Sequence, residues 1–223
     1  MLGATPLSYA LLGPDPVLVE ALLNKGASVK ERYGLDKATP LMWAAQNTSE
    51  DVVKILLSHG ASVKDVDSDG MTALHYAFKN KSKKAKLDIV RLLIEAGTDV
   101  NLAAEGGLTP ILMAALSEDK DGVRFLLVYG ADPNKVYRAK GDSIPFVILL
   151  QPNTALIDAV TGGVTPLMLA ATFGYKTVTD TLLQNGANPH TVAKGQKGSH
   201  TAITLALAGG HQELANRIRS YKK

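Results

Sequence analysis

The 223-residue chain is 46% apolar and 20% charged, a balance that excludes disorder and fits a folded core or an elongated repeat array. Its net charge of +3 is too small to argue for nucleic acid or a membrane, and the absence of cysteine removes disulfides, thiolate nucleophiles and Cys-based zinc sites. Aromatic residues are scarce at 5%, which suits a core of Leu, Ala and Val. No apolar run approaches the ~20 residues that a membrane-spanning helix needs.

One period organises the chain. Thr-Pro-Leu-like triplets begin at Thr5, Thr39, Thr72, Thr109, Thr165 and Thr201, at intervals of 34, 33, 37, 56 and 36 residues. Seventeen residues after Thr5, Thr39, Thr109 and Thr165 comes a Leu-Leu pair, closed by Gly26, Gly60, Gly130 and Gly186; in the third unit the pair is Leu92-Leu93, three residues late. Because Thr5 already lies inside a unit, Met1 is expected to mark a boundary other than the natural start.

Residues 39–61 show why such a unit folds. Thr39 caps a first helix and Pro40 takes its first position, where a missing N–H costs nothing. Leu41, Ala44 and Ala45 share one face, the alanines allowing close helix approach. Ser49 is expected to cap a second helix that carries Val52, Val53, Leu56 and Leu57, and Gly60 ends it in the left-handed conformation. Each unit therefore reads helix, turn, helix, loop.

The pattern resembles the ankyrin repeat: T-P-L at 39–41 and 165–167, T-A-L-H at 72–75, G-A-D-P-N at 130–134 and G-H-Q-E at 210–213. The resemblance implies an all-α solenoid of six units joined by β-hairpin loops in one domain over 1–223. The repeats fall near 1–34, 35–67, 68–104, 105–138, 161–196 and 197–223, with an irregular stretch at 139–160.

Residues 65–70, DVDSDG, open like a calcium loop, but the twelfth position of such a loop must supply a bidentate carboxylate and here is Tyr76. The resemblance instead makes Asp67-Ser68-Asp69-Gly70 the turn at a hairpin tip. In the third unit, extra residues between the helices bring Lys79, Lys81, Lys83, Lys84 and Lys86 together. Without arginine or aromatic company they read as a solvated loop before a nucleic-acid patch.

The 56-residue interval after Thr109 departs most from the period. One reading of 135–163 is a truncated repeat, with a first helix near 144–150 and a second helix lost or reduced to 154–160; the other is a long β-hairpin finger, since Phe146, Val147 and Ile148 are strand formers and Pro152-Asn153 marks a turn. Register favours the first, and either is expected to interrupt regular stacking.

No motif supports catalysis: there is no nucleophile elbow, no phosphate-cradling glycine loop and no isolated acidic pair. The resemblance gives His75 and His211 structural roles in their turns. His59 precedes a helix-ending glycine, and His190 and His200 lie in loops with no carboxylate at metal-ligand spacing. Trp43 and Tyr76 take first-helix core positions. No metal or cofactor is expected.

Proteins of this family act as rigid protein-binding scaffolds, and the resemblance places binding residues on the hairpin tips and first-helix ends. The tip positions are Tyr33, Asp67, Asp69, Met71, Leu102, Glu105, Tyr137, Arg138 and Val164; the helix-end positions are Gln46, Asn47, Lys79, Leu116, Thr172 and Phe173. The expected partner is one protein, bound by a chain that is monomeric when free, with neither nucleic acid nor membrane involved. An inhibitor or self-protection protein of bacterial type and a scaffold or host-directed effector are the two roles to distinguish. Periplasmic, secreted and cytoplasmic locations all fit the residues.

Overall fold

The computed structural model describes residues 5–13, 15–138 and 153–222. Within it the chain forms two compact units, Met1–Glu105 and Gly106–Lys223.

The first unit holds three helix pairs: α1 (Pro6–Ala10) with α2 (Pro16–Asn24), α3 (Pro40–Asn47) with α4 (Glu50–Ser58), and α5 (Ala73–Ala77) with α6 (Lys83–Glu95). First helices pack on first helices and second on second, as α3 on α5, α2 on α4 and α4 on α6. Each first helix starts at its predicted threonine in extended backbone; Thr5 and Thr39 accept from Ser8 and Met42 N–H groups. At Thr72 the partner is His75, whose Nδ1 accepts the Thr72 N–H at 3.1 Å and lies 2.9 Å from the hydroxyl, so the histidine holds the turn as expected.

Leu41, Ala44, Ala45, Val52, Val53 and Leu56 have no exposed surface at all. Each such leucine contributes about 1.5–3 kcal/mol by leaving water. Leucine in the second helix and alanine in the first is the division that lets the first helices approach closely. Gly60 and Gly97 end their helices at φ 82° and 93°, the left-handed region open to glycine. Ser49 sits at the start of α4 but makes no capping bond. Its neighbour Thr48 instead donates to the Ala44 carbonyl at 2.7 Å, and the acidic Glu50 and Asp51 meet the helix N-terminus.

The lengthened turn of the third unit is pinned by Asn80, whose amide donates to the carbonyls of Ala45 (3.1 Å) and Thr48 (3.2 Å). Lys81, Lys83 and Lys84 are exposed, Lys86 is buried, and Lys79 lies 4.3 Å over the Tyr76 ring. The five lysines therefore do not share one surface.

The second unit runs α7 (Pro110–Leu116), α8 (Lys120–Val128), α9 (Thr154–Gly162), α10 (Pro166–Thr172), α11 (Lys176–Gln184), a hairpin of β1 (Ala193–Lys194) and β2 (Ser199–His200), α12 (Ala202–Ala208) and α13 (Gln212–Ser220). Here α7 packs directly on α10, α8 on α11, and α10 on α12. The expectation that 135–163 interrupts the stack is thus corrected. Tyr137 and Val164 close a two-residue bridge through paired backbone bonds of 2.9 and 2.8 Å, as Tyr33 and Ala38 do in the first unit. The second pair lies five residues apart and the first twenty-seven, so the extra sequence enters at a hairpin tip and leaves the helix register intact.

Of the expected truncated repeat, a helix over 154–160 is present as α9, capped by Asn153, whose side chain accepts the Leu156 N–H at 3.0 Å. It packs on β1, β2 and α12, not between α8 and α11 as a repeat's second helix would. The expected first helix near 144–150, and the strand-forming residues of the alternative finger, lie outside the described residues.

Candidate functional site

The hairpin tips are tied to one another through backbone. In the first unit Ser68 N–H donates to the Asp36 carbonyl and Glu105 N–H to that of Asp69, both at 2.8 Å; in the second, Arg138 N–H donates to the Gly106 carbonyl at 2.7 Å. Side chains at the bridge positions turn inward as a result. Tyr33 and Tyr137 are each only 2% exposed and Val164 is fully buried. Burial, helped by the Glu31 carboxylate that accepts the Tyr33 hydroxyl at 2.9 Å, pushes that phenol up to about 12. Its ring packs edge-on against Trp43, with centroids 5.4 Å apart.

Asp67 is also inside. Its Oδ1 accepts the N–H groups of Asp69 (2.9 Å) and Met71 (2.8 Å), and its Oδ2 accepts the Tyr76 hydroxyl at 2.8 Å. This is a turn held by a buried carboxylate. The tyrosine that denies the loop its twelfth-position ligand is the residue that occupies the aspartate. Among the described residues no group of three or more His, Asp or Glu side chains could hold a metal ion.

The predicted binding set therefore divides. Tyr33, Asp67, Tyr137, Val164 and Thr172 are buried and do not offer their side chains to a partner; Thr172 spends its hydroxyl on the Met168 carbonyl, 2.8 Å away. That corrects their expected exposure, which rested on register alone. Asn47, Asp69, Lys79, Glu105 and Arg138 are exposed, and Gln46, Met71, Leu102, Leu116 and Phe173 are half-buried. In the first unit Gln46, Asn47 and Lys79 mark the first-helix ends, and Asp69, Met71, Leu102 and Glu105 the tips. In the second, Leu116 and Phe173 mark the helix ends, and Arg138 the tip.

Phe173 is the member of the set with a shaped environment. It stacks on Tyr175, with centroids 5.5 Å and planes 28° apart, beside a cleft of about 480 Å³. Asn153, Thr172, Ala208, Gly209 and His211 complete the lining. The turns are packed closely enough that a Cβ on Gly174, already at φ 75°, would strike the His211 ring. Tyr175 shares the inter-helix turn with Phe173, whereas Asn153 carries no sequence signal, because it reaches the cleft only through the packing of α9.

A second feature was equally hidden in the sequence. Asp158 of α9 accepts the Lys197 N–H at 2.9 Å and pairs with His200 Nε2 at 2.8 Å, across 42 residues of chain. Gly162 and Gly195 lie where a Cβ would collide with the Lys194 backbone and with Asp158, so α9 and the β1–β2 hairpin meet almost backbone to backbone. The His200 bond, followed by the Lys197 amide, holds the Asp158 carboxyl below its ordinary value of 3.8. A depressed carboxyl stabilises the fold above its unfolded pKa and loses that contribution as pH falls through the lower folded one. Protection of the Lys197 amide from hydrogen exchange is accordingly expected to fall below pH 3.8 in the wild-type chain, and to be low already at neutral pH in Asp158→Ala.

Comparison with known proteins agrees with the repeat geometry. A family model described as "Ankyrin repeats (3 copies)" matches residues 7–104 and 64–137, and one described as "Ankyrin repeat" matches 162–194. Neurogenic locus notch homolog protein 1 of Mus musculus is 28% identical over 162 residues, 68% of this chain and 5% of that protein. The human BCL-6 corepressor-like protein 1 is 37% identical over 67 residues, 30% of this chain and 4% of its own. An ankyrin repeat protein of Rickettsia bellii is 42% identical over 69 residues, 30% of this chain and 28% of its own. The matched region is under a third of each relative's length. Together these matches span well over half of the sequence, and the chain belongs to the ankyrin repeat family.

Proposed function

We propose that the chain is a non-enzymatic module that binds one protein partner through its first-helix ends, inter-helix turns and the exposed side chains of its hairpin tips. Ankyrin repeats in general bind protein partners, and stacked units offer an extended face that a small catalytic pocket does not require. The observation that carries the reading here is the cleft lined by Phe173 and Tyr175, where two stacked aromatic rings stay half-buried. Half-buried aromatics in a concave setting are the usual anchors of protein interfaces.

Within this reading, the partner is an enzyme that the module inhibits or shields. Support comes from the excursion between Tyr137 and Val164, a feature of one repeat alone, as befits a dedicated surface better than a general scaffold. Capture from a lysate with the intact chain, followed by mass spectrometry, identifies the partner; its activity is then measured with and without the module. A partner whose activity is untouched would exclude inhibition and favour the scaffold role.

Phe173→Ala is expected to weaken capture by about 2 kcal/mol or more while leaving the melting temperature within a few degrees of wild type. Lys54→Ala and Arg91→Ala remove exposed second-helix charges that only pair locally, with Glu50 at 2.7 Å and Asp88 at 3.0 Å, and should leave capture unchanged. Loss of capture in these two variants with none in Phe173→Ala would place the interface on the second helices.

A further inference from the structure

The inter-helix turns of the second unit are in register: Glu118, Gly174 and Gly210 each stand nine residues after the capping threonines Thr109, Thr165 and Thr201. All three have a left-handed backbone, φ 54° at Glu118 and 75° and 80° at the glycines. Glycine adopts that conformation freely and an L side chain only at a cost. A glutamate therefore stands where the two following repeats have glycine. Such strain often accompanies function, because stability alone would favour the glycine.

The Glu118 carboxylate is exposed and makes no ion pair or hydrogen bond among the described residues. Two other carboxylates of this unit are matched, Glu213 with Lys176 at 3.0 Å and Asp180 with Arg217 at 2.7 Å. The turn next to Glu118 carries Phe173 and Tyr175, since α7 packs on α10 and α8 on α11. Burial first, and then the Glu118 charge, raises the Tyr175 phenol above its ordinary range, which puts the carboxylate within electrostatic reach of the cleft. Among the described residues no lysine or arginine lines that cleft.

Stacked aromatic faces beside an uncompensated carboxylate attract a cation and gain nothing from an acidic or apolar guest. We propose that the cleft seats a basic side chain of the protein partner, its cationic head stacked on Phe173 and Tyr175 and neutralised by Glu118. The inference rests on the protein-binding reading above and names the chemistry of the segment bound.

The test uses the full chain and three small probes followed by NMR: the N-acetyl methylamides of arginine, of its neutral isostere citrulline, and of norleucine. Arginine is expected to shift the amides of Phe173, Tyr175 and His211 and to bind roughly two- to fivefold more tightly than citrulline or norleucine. Glu118→Gln, which keeps the side-chain shape and both rings, should weaken arginine binding and leave citrulline binding unchanged. The proposal is overturned if arginine causes no shifts at the cleft, if citrulline or norleucine binds as well, or if Glu118→Gln binds arginine like wild type. In each of those cases partner capture by the wild-type chain, and its loss in Phe173→Ala, would still stand as a separate result for the module itself.

Discussion

Tyr137→Ala is expected to destabilise the second unit by about 3–5 kcal/mol, the range for emptying a large buried aromatic site. The ring is 2% exposed and packs against Gly106, whose own φ of 71° brings the backbone of the preceding loop into contact with it. The residue also carries half of the bridge to Val164, and that bridge closes an excursion of twenty-seven residues. Removing the ring leaves the backbone bonds in place but deletes the packing that holds them, so the loss should be local first. Amides of α7, α8 and α10 should exchange faster than those of α12 and α13, because stacked repeats share stability chiefly with their neighbours. Tyr137→Phe keeps the ring and should cost about 1 kcal/mol or less. Urea denaturation of both variants checks this. A Tyr137→Ala chain as stable as wild type would mean that the ring lies at the surface after all, and would return it to the binding set.

The repeat architecture was legible because its signals are local. A threonine cap, a proline one residue on and a left-handed glycine at the helix end each act within a few residues, so their spacing survives in the sequence. Thr39, Pro40 and Gly60 fall where spacing puts them. Exposure of Tyr33, Asp67 and Tyr137 was not legible, because it is set by bonds from one tip to the next, as from Ser68 to Asp36. The excursion after Tyr137 was visible as a broken interval, yet its geometry was not: period alone cannot tell a repeat inserted into a stack from one looped out of a hairpin. What separates the two is that α7 touches α10. Asp158 and His200 lie 42 residues apart and make a contact that no motif spacing announces. Glu118 is different, since aligning the last three units on their threonines sets a glutamate beside Gly174 and Gly210, although its left-handed backbone is not written in that spacing.

Asp67→Ala should cost about 2–4 kcal/mol, through the groups it strands more than through any charge it removes. Three donors lose their acceptor together: the N–H groups of Asp69 and Met71 and the hydroxyl of Tyr76, which is 3% exposed and reaches little water. Asp36 Oδ2, 3.4 Å from the same hydroxyl, is too distant to replace the 2.8 Å bond without movement of its own tip. Asp67→Asn separates charge from geometry. Its Oδ1 still accepts both backbone donors, and its amide donates to a tyrosine oxygen that can accept, so the loss should stay near 1 kcal/mol. Calcium provides the opposing test. A specific site would add about 2.7 kcal/mol at a hundredfold excess of metal over its dissociation constant. Here both Asp67 oxygens are engaged, Asp65 faces Arg32 at 4.0 Å, and no carboxylate stands at position 76. Millimolar calcium should therefore leave the melting temperature unchanged in wild type and in both variants. A rise of several degrees in wild type that disappears in Asp67→Ala would show that the aspartate exchanges its tyrosine for a metal ion, and that the turn is a calcium site in its second state.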